Sequence, residues 1–476
     1  MREYLKFYID GQWVDPLEMT VSETINPATE EVSGRIALGS EADVDRAVEA
    51  ARKAFASWSA TSPAERVQVL ERVLGEYDKR SADLGAAITD EMGAPQELAQ
   101  GFHVALGNGH ISTAIEILKD FAFEELRGNT MIRYEPIGVC GMITPWNWPV
   151  NQVAVKVFPA IAAGCTVVLK PSQEAYFSAQ VLAEIIDAAG VPAGVFNLVQ
   201  GRGSVVGAAL SSHPDVDMVS ITGSEAAGIE VAKNAASTIK RVCQELGGKS
   251  AAIILDDDTL AANVAGAIGG MMMNSGQTCS ATSRLLVPKS RMADAMAAAK
   301  DAAEQTTVGD PNTAVAMGPV VSKSQFNTVQ SYIRKGIEEG ATLVAGGPDR
   351  PDGIDKGYYV KPTVFSDVTN DMVIAREEIF GPVQVIIGYD DLDHAVEIAN
   401  DSPYGLAGGV SGADLEQCRA VARRIRSGWI SINGGFDFHC PFGGYKRSGN
   451  GREWGEFGFH EYLEIKGMLG YLPAEV

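Results

Sequence analysis

Paired cysteines are missing from this chain. Its six cysteines, Cys140, Cys165, Cys243, Cys279, Cys418 and Cys440, are scattered, and no two stand at CxxC spacing. That argues against a zinc centre and against a disulfide framework, so no metal is expected. Long apolar runs are missing too. No uninterrupted stretch reaches the ~20 residues that span a bilayer, and Met1–Asp15 carries charges throughout instead of an apolar leader. Positive charge is scarce: 39 Lys and Arg stand against 61 Asp and Glu, a net charge of −22. Phosphate backbones and anionic membranes need a basic face. Neither nucleic acid nor membrane is therefore an expected partner. Internal repeats and low-complexity linkers are also absent. The reading is a reduced, cytoplasmic protein.

What is present is a long globular chain. Its 476 residues are 46% hydrophobic and 21% charged, enough for two or three domains. Tyr8–Pro27 reads as a short strand, a turn at Asp10-Gly11 and a loop. Apolar residues at helical spacing predict helices over Ser40–Trp58, Pro63–Glu91 and Gln96–Leu118. Phe121–Arg133 is polar with a turn at Gly128-Asn129, a hairpin arm. From Ile137 short apolar runs (Val139–Ile143, Thr166–Leu169, Val195–Val199, Met218–Ile221) alternate with helical stretches. Strand alternating with helix predicts an α/β fold with a parallel sheet covered on both faces. A second alternating region runs from Ala252 to Ile432, giving two lobes with a cleft between them. The tail Tyr462–Tyr471 reads as another strand-like arm.

Chemistry gathers in short motifs. Met271–Arg284, MMMNSGQTCSATSR, sets Cys279 among small and hydroxylated residues. A thiol there reads as exposed on a turn with backbone N–H groups near it, which suits a nucleophile. A buried structural thiol is the competing reading. Asn147, between Trp146 and Trp148 in TPWNWP, stands at a strand's carboxyl end, where its amide could serve an oxyanion or satisfy a turn. Lys170 in KPSQ suits ribose hydroxyls or a solvated turn. In TGSEAAG, Gly223 and Ser224 stand at a helix start, where a pyrophosphate could sit or an ordinary cap form. Glu245 in ELGGK could act on water as a base, or cap or pair. Glu378 and Phe380 in EEIFGPV suit a ribose and a flat ring, or a simple turn.

Taken in order, PWNWP, KPSQ, TGSxxxG, ELGGK, GQTCS, EEIFGPV and the later PFGGYKxSG resemble the aldehyde dehydrogenase superfamily across essentially the whole chain. The resemblance implies a Rossmann-like NAD(P)-binding domain at 1–118 and 138–247. It implies a catalytic domain at 248–447, an oligomerisation arm at 119–137 and 455–476, and a homodimer or homotetramer. It implies that Cys279 attacks a small-molecule aldehyde and that Asn147 and the cysteine N–H hold the oxyanion. Glu245 then activates water against the thioester, and Glu453 of the GRE motif relays protons. Thr144, Pro145, Trp146, Lys170, Ser172, Gln173, Gly223, Ser224, Leu246, Glu378 and Phe380 are implied to hold NAD or NADP. Trp148, Gln152, Thr278, Ser280, Phe436 and Phe438 are implied to line the substrate funnel, with Val155 and His439 near it.

The sequence departs from the NAD-strict pattern in one place. Strict members usually carry Glu after KPS, and here the residue is Gln173. A carboxylate would repel a 2′-phosphate and a neutral amide would not. Relatives that make acyl-CoA typically lack the base glutamate, and crystallin-like relatives of this fold are inactive. Glu245, Cys279 and Asn147 together argue against both. The funnel reads as aromatic, with no arginine pair for a dicarboxylic semialdehyde. Aromatic faces could take an aryl aldehyde or a cationic amine.

Overall fold

A computed structural model describes residues 1–472. Two mixed α/β sheets dominate it. The first has eight strands in the order Gly449–Asn450, Arg241–Glu245, Met218–Thr222, Val139–Ile143, Thr166–Lys170, Phe196–Leu198, Phe7–Ile9 and Gln12–Val14. Its five middle strands are parallel, and antiparallel strands close both edges. Val139–Ile143, Thr166–Lys170 and Met218–Thr222 are buried at every residue. That is why they read as unbroken apolar runs: helices cover both faces. The chain enters the parallel set at Val139, steps outward one way to Phe196, then returns to lay Met218 and Arg241 on the other side. The strand order therefore reverses between Val139–Ile143 and Met218–Thr222, the crevice in which such sheets bind ligands.

The second sheet runs Thr342–Ala345, Thr363–Ser366, Val383–Tyr389, Arg284–Pro288, Ala251–Ile254, Ala407–Ser411 and Trp429–Ile432, parallel except at its first pair. The segment 246–250 passes directly from the carboxyl end of a first-sheet strand to the amino end of Ala251–Ile254 in the second. Carboxyl-end loops of one sheet thus face amino-end loops of the other. A small sheet of Glu124–Arg127, Thr130–Pro136 and Leu463–Met468 forms an arm. The last four residues of the 455–476 segment, 473–476, lie outside the described residues.

Two helices start where the sequence signals them. Ser40 and Asp43 form a capping box for Glu41–Trp58, and Ser62 and Glu65 one for Pro63–Lys79, with Pro63 in its first turn. The continuous helix expected over Pro63–Glu91 is two helices, breaking at Arg80 and resuming over Ser81–Met92. No Gly or Pro marks that break. Arg80 turns there with its guanidinium between Asp83 and Glu184. The loop expected before Pro27 contains the strand Thr20–Asn26, paired with Glu31–Leu38. Its side chains are mostly exposed or half-buried, so no apolar alternation betrays it. Within the helical stretch Gln96–Asp120, Ala99–His103 is a π-bulge, a feature common at functional sites.

Candidate active site

The loop holding Cys279 is set by three consecutive left-handed residues, Asn274, Ser275 and Gly276. A Cβ on Gly276 would stand 2.2 Å from the Gly381 carbonyl oxygen, so only glycine fits. The other two are held by their side chains. Asn274 Nδ2 donates to the Asn147 carbonyl at 2.7 Å, and Ser275 Oγ to the Gly318 carbonyl at 2.9 Å. Gln277 Oε1 accepts from the Val321 N–H at 2.8 Å. The thiol is half-buried and not exposed on the turn. Burial first, then the carboxylates Glu378, Glu245 and Glu453, pushes its pKa up, while the Ser280 N–H opposes that.

Asn147 is buried beside this loop. Its Nδ2 donates to the Gln277 carbonyl at 3.0 Å. An amide carries two N–H groups, so one remains to donate. Trp148 Nε1 donates to Thr278 Oγ1 at 3.0 Å and ties the same loop from the other side.

Glu245 ends the strand Arg241–Glu245. It is 3% exposed, and neither carboxylate oxygen has a hydrogen-bond partner among the described residues. Burial first and Glu453 second raise its pKa well above the ordinary carboxylate value. Gly443 makes room for it: a Cβ there would lie 2.8 Å from Oε1. Glu453 forms a buried ion pair with Lys156 Nζ, which also donates to Ser220 Oγ at 2.9 Å.

Two cavities meet at this loop. One, of about 310 Å³, is walled by Pro145, Trp146 and Asn147, by Gly223 and Ser224, and by Leu246, Glu378 and Phe380 opposite them. It opens at the crevice where the strand order reverses. Phe380 lies edge-on to Trp146, with ring centroids 5.4 Å apart. Glu378 Oε1 accepts from the Gly248 N–H at 2.9 Å, and burial lifts its pKa to about 7. Ser224 caps the helix Glu225–Ala235, its Oγ accepting from the Ala227 N–H. Thr222, Gly247, Gln325, Thr328 and Ile379 also line this cavity and were not singled out from sequence. Gln325 could not have been: it comes from the helix Lys323–Glu338 and reaches the wall by donating to the Ile379 and Phe380 carbonyls.

Thr144, Lys170, Ser172 and Gln173 lie away from this cavity, at neighbouring strand ends. The Thr144 N–H donates to the Lys170 carbonyl at 3.2 Å. Lys170 is buried, which lowers its pKa to about 8, and Gln173 is exposed.

The second cavity, of about 160 Å³, is walled by Trp148, Gln152, Thr278, Ser280 and Phe436, five of the six funnel residues expected from sequence. Phe438 is the exception. It lies one layer behind, packed on Trp454, Phe436 and His110, because its ring fills the space above Gly109. His439 also turns away, toward Glu116, and Val155 is buried in its helix. Phe102, Trp429, Phe442 and Trp454 complete the aromatic wall, a place the sequence does not assign them, although Phe442 lies in the PFGGYKxSG motif. Phe102 comes from the π-bulge, whose next residue, His103, stacks on Trp148 at 4.1 Å. Among the described residues, Cys279 is the one common to both walls.

The first cavity fits the reactive half of a dinucleotide. It offers a slot beside Trp146 and Phe380, a helix start at Ser224, and a buried Thr222 hydroxyl with no partner among the described residues.

The sequence model of the aldehyde dehydrogenase family matches residues 13–468. A 3-succinoylsemialdehyde-pyridine dehydrogenase of a Pseudomonas species is 53% identical over 474 residues, 99% of this chain and 99% of that one. A mutant of aldehyde dehydrogenase C from Pseudomonas syringae, solved with NAD+ and octanal, is similar with a TM-score of 0.98. It is 51% identical and covers 99% of this chain and 98% of its own. An NAD+ complex of a Mycobacterium tuberculosis aldehyde dehydrogenase has a TM-score of 0.96 and 42% identity, covering 99% and 98%.

Proposed function

Because this chain belongs to the aldehyde dehydrogenase family, we propose that it oxidises an aldehyde to the carboxylic acid through a thioester on Cys279. The observation that carries this is the position of Cys279, the one described residue shared by the two chambers. The 310 Å³ chamber takes the nicotinamide end of the cofactor, and the aromatic chamber takes the aldehyde. Trp146, Leu246, Glu378 and Phe380 would hold the nicotinamide end, Ser224 the pyrophosphate, and Lys170 with Ser172 and Gln173 the far ribose. Bound there, the dinucleotide supplies a hydride acceptor for the aldehyde carbon. NAD is the expected cofactor, as in the relatives solved with it.

The chain's own residues do the rest. Cys279 gives up its proton to water in the cleft, and its sulfur bonds to the aldehyde carbon. The C=O electron pair moves onto oxygen. The remaining Asn147 N–H and the Cys279 backbone N–H donate to that oxyanion. After oxidation the carbon is a thioester. Glu245 removes a proton from water, the water oxygen adds to the thioester carbon, and the C–S bond breaks. The acid leaves and the thiolate is restored. Glu453, paired with Lys156, is placed to pass on the proton Glu245 collects.

A base must be ionised to act. Burial raises the Glu245 pKa, so the active carboxylate is gained as pH rises and lost as it falls. Turnover should climb with pH above the ordinary carboxylate range.

The chain divides by role into a cofactor domain at 1–118 and 138–247, a catalytic domain at 248–447, and an arm at 119–137 with the C-terminal strand. The arm leaves Leu126, Ile465 and Leu469 exposed, which supports a homodimer or homotetramer built through it. Six free cysteines suit the cytoplasm. No described helix is long and apolar enough to cross a membrane. The test is aldehyde-dependent formation of reduced nicotinamide by the purified protein and its loss in Cys279→Ala. Substantial turnover by that variant would sink the assignment.

A further inference from the structure

The aromatic chamber is more selective than its rings alone would make it. Phe102 meets Trp148 edge-on at 5.6 Å, Phe436 meets Trp454 at 5.4 Å, and Phe442 stacks on Trp454 at 5.3 Å. Such walls favour a flat ring by area and by ring-to-ring geometry. Among the described residues, no Lys, Arg or His lines the chamber, so no cation there faces a substrate carboxylate.

The polar groups in the wall are mostly satisfied from within the chain. Asn151 Oδ1 is held by His110 Nε2 at 2.8 Å, the Trp148 indole by Thr278, and Glu453 by Lys156. Gln152 differs. It stands in the first turn of the helix Pro149–Ala163, is 5% exposed, and its Oε1 is buried with no partner among the described residues. A buried amide oxygen left unpaired costs free energy that a ligand hydroxyl can recover by donating to it. A purely hydrocarbon aldehyde would leave that cost in place. So would a quaternary ammonium, which suits an aromatic cage but has no hydrogen to give.

We propose that the substrate class is an uncharged aryl aldehyde whose ring carries a hydrogen-bonding group, and that the Gln152 amide is the residue that reads it. This rests on the aldehyde-oxidising function proposed above. The amide lies on a rigid helix, one turn beyond Trp148 and four residues before the buried Lys156. A ring seated among Phe102, Trp148 and Trp454, with its aldehyde at Cys279, would bring a ring substituent to Gln152. A hydroxyl satisfies either end of the amide, donating to Oε1 or accepting from Nε2.

The test compares phenylacetaldehydes bearing a ring hydroxyl with ring-methyl counterparts of nearly equal size, at each ring position, with NAD+. The methylene separates the substituent from the carbonyl, and the phenol stays neutral near pH 7.5 because its pKa is about 10. The native enzyme is measured beside Gln152→Leu and Gln152→Met, the second of which keeps the volume if the first does not fold. The ratio of kcat/KM, hydroxyl over methyl, is read within each protein, so a general loss of activity cancels. At one ring position the native ratio should be about tenfold, falling toward one in the variants. A native ratio near one at every position would overturn the inference, as would a preference that survives both substitutions. So would a trimethylammonium aldehyde or succinic semialdehyde outpacing the aryl series. Turnover of the methyl aldehydes without a hydroxyl preference defeats this inference alone. No turnover of any aldehyde defeats the parent reading as well.

Discussion

Cys279 and Asn147 act as a unit because Gln277 sits between them, its carbonyl accepting from the Asn147 amide. In the proposed mechanism, removing that amide takes away an oxyanion donor and also frees the loop ahead of the thiol. Asn147→Ala should lower kcat by about 10²–10³, with KM moving far less, and steady-state kinetics will show the split. A change confined to KM would contradict the role. Gln173 is proposed to face the far end of the cofactor. It is exposed and neutral, and Lys170 is the cation beside it in sequence. Gln173→Glu should lower kcat/KM for NADP roughly tenfold more than for NAD, and less so at high salt. An unmoved NAD-to-NADP ratio would mean that Gln173 does not face the 2′ position. Residues carried by short motifs were legible in the sequence because the turn chemistry around them is local. Gln325, Phe102 and Trp454 were not, because helices and loops far apart in the chain deliver them.

Elements were legible where burial is uniform. Strands buried at every residue read directly from their apolar runs, and the capped helices from Ser40 and Ser62. The strand Thr20–Asn26 and the break at Arg80 depend on partners outside their own stretch, Glu31–Leu38 and Glu184, so no local signal marks them. Another such link joins two helices. Glu91, near the end of Ser81–Met92, accepts from the backbone N–H groups of Phe177 and Ser178 and so caps Tyr176–Ala188. Glu91→Ala should destabilise the protein by about 1–2 kcal/mol, seen as a lower denaturant midpoint. Glu91→Gln, which keeps an acceptor, should recover part of that. Equal losses in the two variants would mean that volume, not capping, is what Glu91 supplies.

At the scale of the molecule, two sheets face each other so that the carboxyl ends of one meet the amino ends of the other, and Cys279, Asn147 and Glu245 gather at that seam. The arm stands on the opposite account: its strand Leu463–Met468 pairs with Thr130–Pro136 and presents Ile465, 68% exposed, outward. Ile465→Lys should shift the sedimentation coefficient toward a smaller species, and an unchanged assembly would place the contact elsewhere. The two-chamber arrangement itself is tested most directly by Glu245→Gln in stopped flow with NAD+ and an aldehyde. One equivalent of reduced cofactor per active site should form in a burst, followed by a stall with Cys279 acylated, read as added mass on the intact chain. Steady turnover at the native rate, or no burst at all, would contradict a thioester on Cys279 that Glu245 releases.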